Sequence, residues 1–149
     1  MEGGVVVSGG AGAVVLVGRV LFALYFGAVA GVGHIRQSQN FEGYARAMSF
    51  PLVAAAGWPT GAWLVVGALS VALGVWPDVG VLMIGLFVLV AAFFFHAYWK
   101  VEDEAQKMNQ GFLFWRNIIT LGASLALFGL FASLGDALRF TLTAPLFQF

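Results

Sequence analysis

The chain has 149 residues, of which 61% are hydrophobic and only 9% charged, seven Lys/Arg against seven Asp/Glu. A soluble domain carries about 25% charged residues and a small chain leaves much of its surface exposed, so a water-soluble globule is excluded and lipid is the expected solvent. The even charge balance leaves no footprint for nucleic acid, and the lack of cysteine excludes thiol–disulfide chemistry, iron–sulfur ligation and thiolate zinc sites by this chain.

In chain order, "MEGGVVVSGGAGA" reads as a loose glycine-rich leader. Residues 1–18 hold no Lys or Arg, so the basic n-region of a signal peptide is missing. A membrane-crossing helix needs roughly 20 apolar residues, and residues 13–33 supply the first. On it Arg19, Ala23, Gly27, Gly31 and His34 share one side at helical spacing, and Gly27-x-x-x-Gly31 is a helix-contact signal. Phe41, Tyr44, Ala45 and Met48 repeat at helical spacing within residues 40–48, which predicts a short amphipathic helix on the membrane surface.

The second span is expected within residues 51–76, with Ser49 as cap, Pro51 in the first turn and Pro59 kinking its interior. Only Pro77 and Asp78 separate it from the third span, residues 79–99, forcing a tight hairpin; the fourth covers about residues 115–134. Further stripes run through Trp63, Gly67, Ser70 and Gly74, through Gly85, Leu89, Ala92 and His96, and through Asn117, Thr120 and Ser124. Small residues let helices approach closely in a bilayer, so these stripes are packing faces that carry the polar side chains inward. The expected fold is all-α: one integral-membrane domain, a four-transmembrane-helix up-and-down bundle with a short interfacial helix after the first span. Trp58, Trp63, Trp76, Trp99 and Trp115 fall at or near span ends, where amphipathic rings prefer the interface. Arg36, Arg46, Lys100 and Lys107 flank the loops after spans one and three, with Arg116 just inside span four; the opposite side has Arg139. The positive-inside rule then puts the two longer loops in the cytoplasm and both termini outside a plasma (inner) membrane.

The polar residues inside the spans are the candidate site. His34, His96 and Asn117 fall near the cytoplasmic end, where they either wall one polar pocket or, for His96, serve packing through a hydrogen bond to backbone or to Asn117. Neutral imidazole donates, accepts or relays protons near pH 7, and intramembrane ionisable groups are functional candidates by default. Arg19 lies at the other end; it either snorkels to the outer interface or anchors a headgroup, a quinone carbonyl or a partner's carboxylate. Two histidines are too few for a metal site, and Glu102, Asp103 and Glu104 read as a solvated loop. No self-sufficient catalytic set is present, and no motif binds haem, flavin or nucleotide.

Several stretches together resemble the DoxX family of small four-helix membrane proteins. They are "GRVLFALYFGAVAG" with Arg19, "YARAMSFPL" before span two, "VVGALSVALG", "FFFHAYW" with His96, and "FWRNIITLGASLAL" with Asn117 and Gly122, within residues 14–135. Two positions depart from the family pattern: His34 stands where members often have lysine, and Trp63 where they often have glutamate. The resemblance implies an accessory subunit of a larger membrane complex, respiratory or redox-linked, with other membrane subunits as partners and quinone as the candidate ligand. A quinone-binding oxidoreductase subunit would seat the ring among Phe94, Phe95, His96 and Asn117. A small-solute or lipid transporter acting as an oligomer is the third reading. The apolar tail "FTLTAPLFQF" calls for lipid or a partner subunit.

Overall fold

In a computed structural model, residues 6–148 are described, and all their regular structure is helical. Helix α1 (Gly9–Arg36), α4 (Pro77–Lys100) and a last helix, α5 (Glu104–Leu134), are long and apolar enough to cross a membrane. Helix α2 (Ser38–Ala47) is the short amphipathic segment, close to where the spacing of Phe41, Tyr44, Ala45 and Met48 put it.

Pro77 and Asp78, expected as the hairpin connection, already belong to α4, so the turn falls at residues 74–76, and α5 starts at Glu104, well before residue 115. Two further boundaries differ from the sequence reading. The glycine-rich leader is helical from Gly9, because Ser8 caps it by accepting the Ala11 N–H at 3.2 Å; residues 1–5 lie outside the described part. The second apolar run forms a helix only from Trp58 to Leu73, here α3. Pro59 therefore sits in its first turn instead of kinking its interior, where the missing N–H is an orphan in any case. Ser49 caps nothing: it takes a left-handed turn at φ 55°. The cap comes from elsewhere in the chain, since Ser38 Oγ on α2 accepts the Trp58 N–H at 2.9 Å. With 16 residues α3 covers about 24 Å at 1.5 Å per residue, short of the roughly 30 Å hydrocarbon core.

Glycines set the helix crossings. A Cβ at Gly61 would stand 2.6 Å from the Gly31 carbonyl, so α1 and α3 meet backbone to backbone there. A Cβ at Gly80 would stand 2.7 Å from the Gly67 carbonyl, which closes α3 on α4. Between these crossings Leu64, Val71, Val81, Ile84, Val88 and Phe131 are fully buried in the core. Packing follows chain order, α1 on α3, α3 on α4 and α4 on α5. Among the described residues α1 and α5 make fewer close backbone approaches than these pairs do, although Ala23 and Phe26 of α1 and Phe131 of α5 share the buried core.

The tail, residues 138–148, folds back over the end of the bundle where the α3–α4 hairpin lies. Leu142 and Thr143 donate to the Gly74 carbonyl, both at 3.0 Å, and position 74 calls for glycine because its φ of 68° is left-handed and Thr141 occupies the place a Cβ would take. Asp78, fully buried, accepts the Phe147 N–H at 2.7 Å. Phe140, Leu142, Leu146 and Phe147 nonetheless keep about half or more of their surface exposed; Phe149 lies outside the described residues.

Candidate functional site

A cavity of about 700 Å³ lies between α1, α4 and α5, under α2. His34, His96 and Asn117 all line it, so the structure brings three of the four candidate residues to one place. Arg19 is elsewhere.

The walls are built from helices that depart locally from α geometry. α1 is π-helical over Tyr25–Gly31 and α4 over Ala91–Phe95, and both stretches face the cavity with Tyr25, Phe26, Val29, Ala30, Ala91 and Phe95. A π-helical turn is rare and recurs at functional sites, since the wider turn leaves backbone groups and side chains out of regular register. α4 is then interrupted at His96, whose φ of −124° and ψ of 32° leave the helical region before a last 3-10 turn, Tyr98–Lys100.

Each imidazole is held by one nitrogen. His34 Nδ1 lies 2.9 Å from the Ala30 carbonyl, which can only accept, so Nδ1 carries the hydrogen. Its ring stacks on Phe41 at 3.7 Å and 11° and meets Phe87 edge-on. His96 Nδ1 lies 2.8 Å from Gln110 Oε1 on α5, again an acceptor. Gln110, and not Asn117, is therefore the partner of His96, because α5 begins at Glu104 and presents Gln110 level with the end of α4. In the neutral rings both Nε2 atoms are acceptors, and no hydrogen bond among the described residues engages them.

Asn117 supplies the complementary group. It is 7% exposed, lines the cavity, and its Nδ2 donors have no partner among the described residues. A buried unpaired amide costs about 1–3 kcal/mol, so a ligand acceptor placed there gains what the empty fold forgoes. Thr60 and Thr120 also line the cavity, but their hydroxyls donate to Ala55 and Arg116 carbonyls at 2.7 and 2.8 Å. Arg116 is the one Lys or Arg in the lining among the described residues, and it is exposed. The remaining lining is mostly aromatic and aliphatic, as a ring-binding slot requires.

Reasoning from the sequence missed the roof. Phe41, Tyr44 and Phe50 also line the cavity, and Tyr44 donates to the Phe95 carbonyl at 3.1 Å. Phe50 packs on Phe94 and Phe95, both at 5.1 Å between ring centroids. The helical spacing of Phe41 and Tyr44 was visible, but it points as readily to a lipid-facing stripe. Trp63 does not line the cavity; its indole N–H donates to the Met83 carbonyl at 2.8 Å, tying α3 to α4.

Arg19 is fully buried at the other end under the tail, and its Nη2 donates to the Phe140 carbonyl at 2.5 Å. It neither snorkels nor faces an outside headgroup. Its Nε and Nη1 are buried without partners among the described residues. Asp78 is buried at the same tail, with one oxygen on Phe147 N–H, but no ion pair joins the two. The Glu102–Glu104 run is used locally: Asp103 caps α5 by accepting the Gln106 N–H, and Glu104 pairs with Lys107 at 3.3 Å. No group of three or more His, Asp or Glu side chains able to hold a metal occurs among the described residues.

Compared with known proteins, the chain matches no family model, no curated protein sequence and no solved structure.

Proposed function

We propose that this chain is a DoxX-like, four-span integral-membrane subunit that holds a quinone-type ring compound in the cavity between α1, α4 and α5. Its α1, α3, α4 and α5 would be the four spans, with the loop carrying Arg36 and Arg46 and the one carrying Lys100 and Lys107 on the cytoplasmic side. The observation that carries the reading is the pairing of an unpartnered donor, Asn117 Nδ2, with two free acceptors, the Nε2 atoms of His34 and His96, around one aromatic-walled cavity. A quinone carbonyl accepts and a quinol hydroxyl donates, so one site with both kinds of group suits the two forms of the same ring. No redox centre belongs to this chain's own side chains, so electrons would come from a partner subunit, which makes an accessory role in a larger redox-linked assembly the reading that fits.

The test is binding of a decyl-chain benzoquinone to the purified protein in mild detergent, followed by quenching of tryptophan fluorescence. Saturable binding is expected, weakened roughly 2- to 10-fold in Asn117→Leu, the range that losing one neutral hydrogen bond of about 0.5–1.5 kcal/mol produces. Absence of saturable binding to the unaltered protein would overturn the reading.

A further inference from the structure

We propose that the cavity is loaded sideways from the bilayer, through the slot between α1 and α5, so that the ligand's ring sits inside while its hydrocarbon tail stays in lipid. This rests on the ligand class proposed above. Access is decided by which walls are shut, and three of them are. Towards the loops, α2 forms a roof: Phe41 stacks on His34, Tyr44 bonds the Phe95 carbonyl, and Phe50 packs on Phe94 and Phe95. On the α3 side, the Gly31–Gly61 and Gly67–Gly80 crossings leave no space between backbones. At the far end the tail covers Arg19 and is pinned to Gly74 and Asp78.

The fourth side is the least closed. Among the described residues α1 and α5 make few close backbone approaches along it, and residues on both edges line the cavity while also facing outward. Tyr25 is 46% exposed and Val29 60% on the α1 edge, and Ile119 is 72% exposed on the α5 edge. These side chains are apolar or, for Tyr25, amphipathic, so an alkyl chain crosses the edge without desolvating a charge, whereas a polar solute has no partner there. The α1 edge is also the π-helical stretch Tyr25–Gly31, where the backbone is out of α register. Arg116, on the same helix as Ile119 and nearer its start, places the one charge of the lining towards the loop end of the slot.

The absence of cysteine makes the test direct. Ile119→Cys, in an exposed position that leaves the core untouched, is reconstituted into vesicles and modified with a bulky alkyl methanethiosulfonate, which a reductant removes. Leu69→Cys on α3, 52% exposed and outside the cavity lining, is the control. Association of the decyl-chain benzoquinone is timed by stopped-flow tryptophan quenching. Modification at position 119 is expected to slow association by about tenfold or more, with recovery on reduction, because blocking the only route acts on the on-rate. Modification at position 69 should change nothing. A normal rate with position 119 modified would overturn the lateral route while leaving the ligand assignment standing. If the unaltered protein binds no quinone, both fall together.

Discussion

Replacing Arg19 with methionine should leave the protein as stable as before or make it more stable, against the usual result for a fully buried residue. The guanidinium is 0% exposed and makes one hydrogen bond, to the Phe140 carbonyl at 2.5 Å. Losing a hydrogen bond to a charged group costs about 1.5–3 kcal/mol. The same change removes two buried donors, Nε and Nη1, that have no partner among the described residues, each worth about 1–3 kcal/mol. It also removes a charge that is costly to hold away from water and that no carboxylate among the described residues balances. Asp78 does not help Arg19: its carboxylate sits in the first turn of α4, where the helix N-terminus already favours a negative charge, and its hydrogen bond goes to Phe147. Methionine nearly matches arginine in length and bends to fill the space, so the cavity left behind is small. The balance lies between neutral and about 3 kcal/mol of stabilisation, within the range seen when buried charges are exchanged for apolar side chains. At roughly 2–4 °C per kcal/mol for a chain of this size, thermal unfolding in mild detergent resolves it. A loss of about 2 kcal/mol or more would refute the reasoning. It would mean that Nε and Nη1 are satisfied in the working protein by an anion or a partner's carboxylate.

The other predictions concern packing and the site. Gly61→Ala puts a methyl against the Gly31 carbonyl and Ile35, and should destabilise the α1–α3 crossing by about 1–3 kcal/mol, read as a lower unfolding midpoint. Gly122→Ala, with no atom within 4 Å of the new Cβ, should instead stabilise α5 by up to about 1 kcal/mol through helix propensity alone. Gly74→Ala combines a φ of 68° with a collision at Thr141, so it should release the tail; faster proteolysis within residues 138–148, with the bundle intact, is the readout. His96→Leu loses its bond to Gln110, a cost of about 0.6 kcal/mol and at most roughly 1.7. Its unfolding midpoint should therefore barely move while benzoquinone affinity drops, and a large loss of stability with unchanged affinity would make His96 a packing residue only.

The lipid-seeking class, the three long apolar helices and most of their inward sides were legible in the sequence, although Leu89, placed on an inward stripe, is 38% exposed while Val81, Ile84 and Val88 are buried. Apolar length and a 3.6-residue spacing are properties of single segments, and a bilayer rewards both without reference to the rest of the chain. The glycines at positions 27, 31, 67 and 85 could be placed on contact faces for the same reason, and His34, His96 and Asn117 could be assigned to one end of the bundle. What those residues meet there was decided by contacts between distant segments. The start of α3 depends on Ser38, 20 positions before Trp58, so the local signal at Ser49 and Pro51 misled. The environment of Arg19 depends on Phe140, 121 positions away, and snorkelling is the outcome only where no chain covers the side chain. His96 pairs with Gln110 because of how far α5 extends past its apolar stretch, a polar helical overhang that hydropathy does not register. The cavity lies where α1 and α5 approach less closely than the other neighbouring helices, and a sequence of amphipathic faces does not say which two of four helices stand furthest apart.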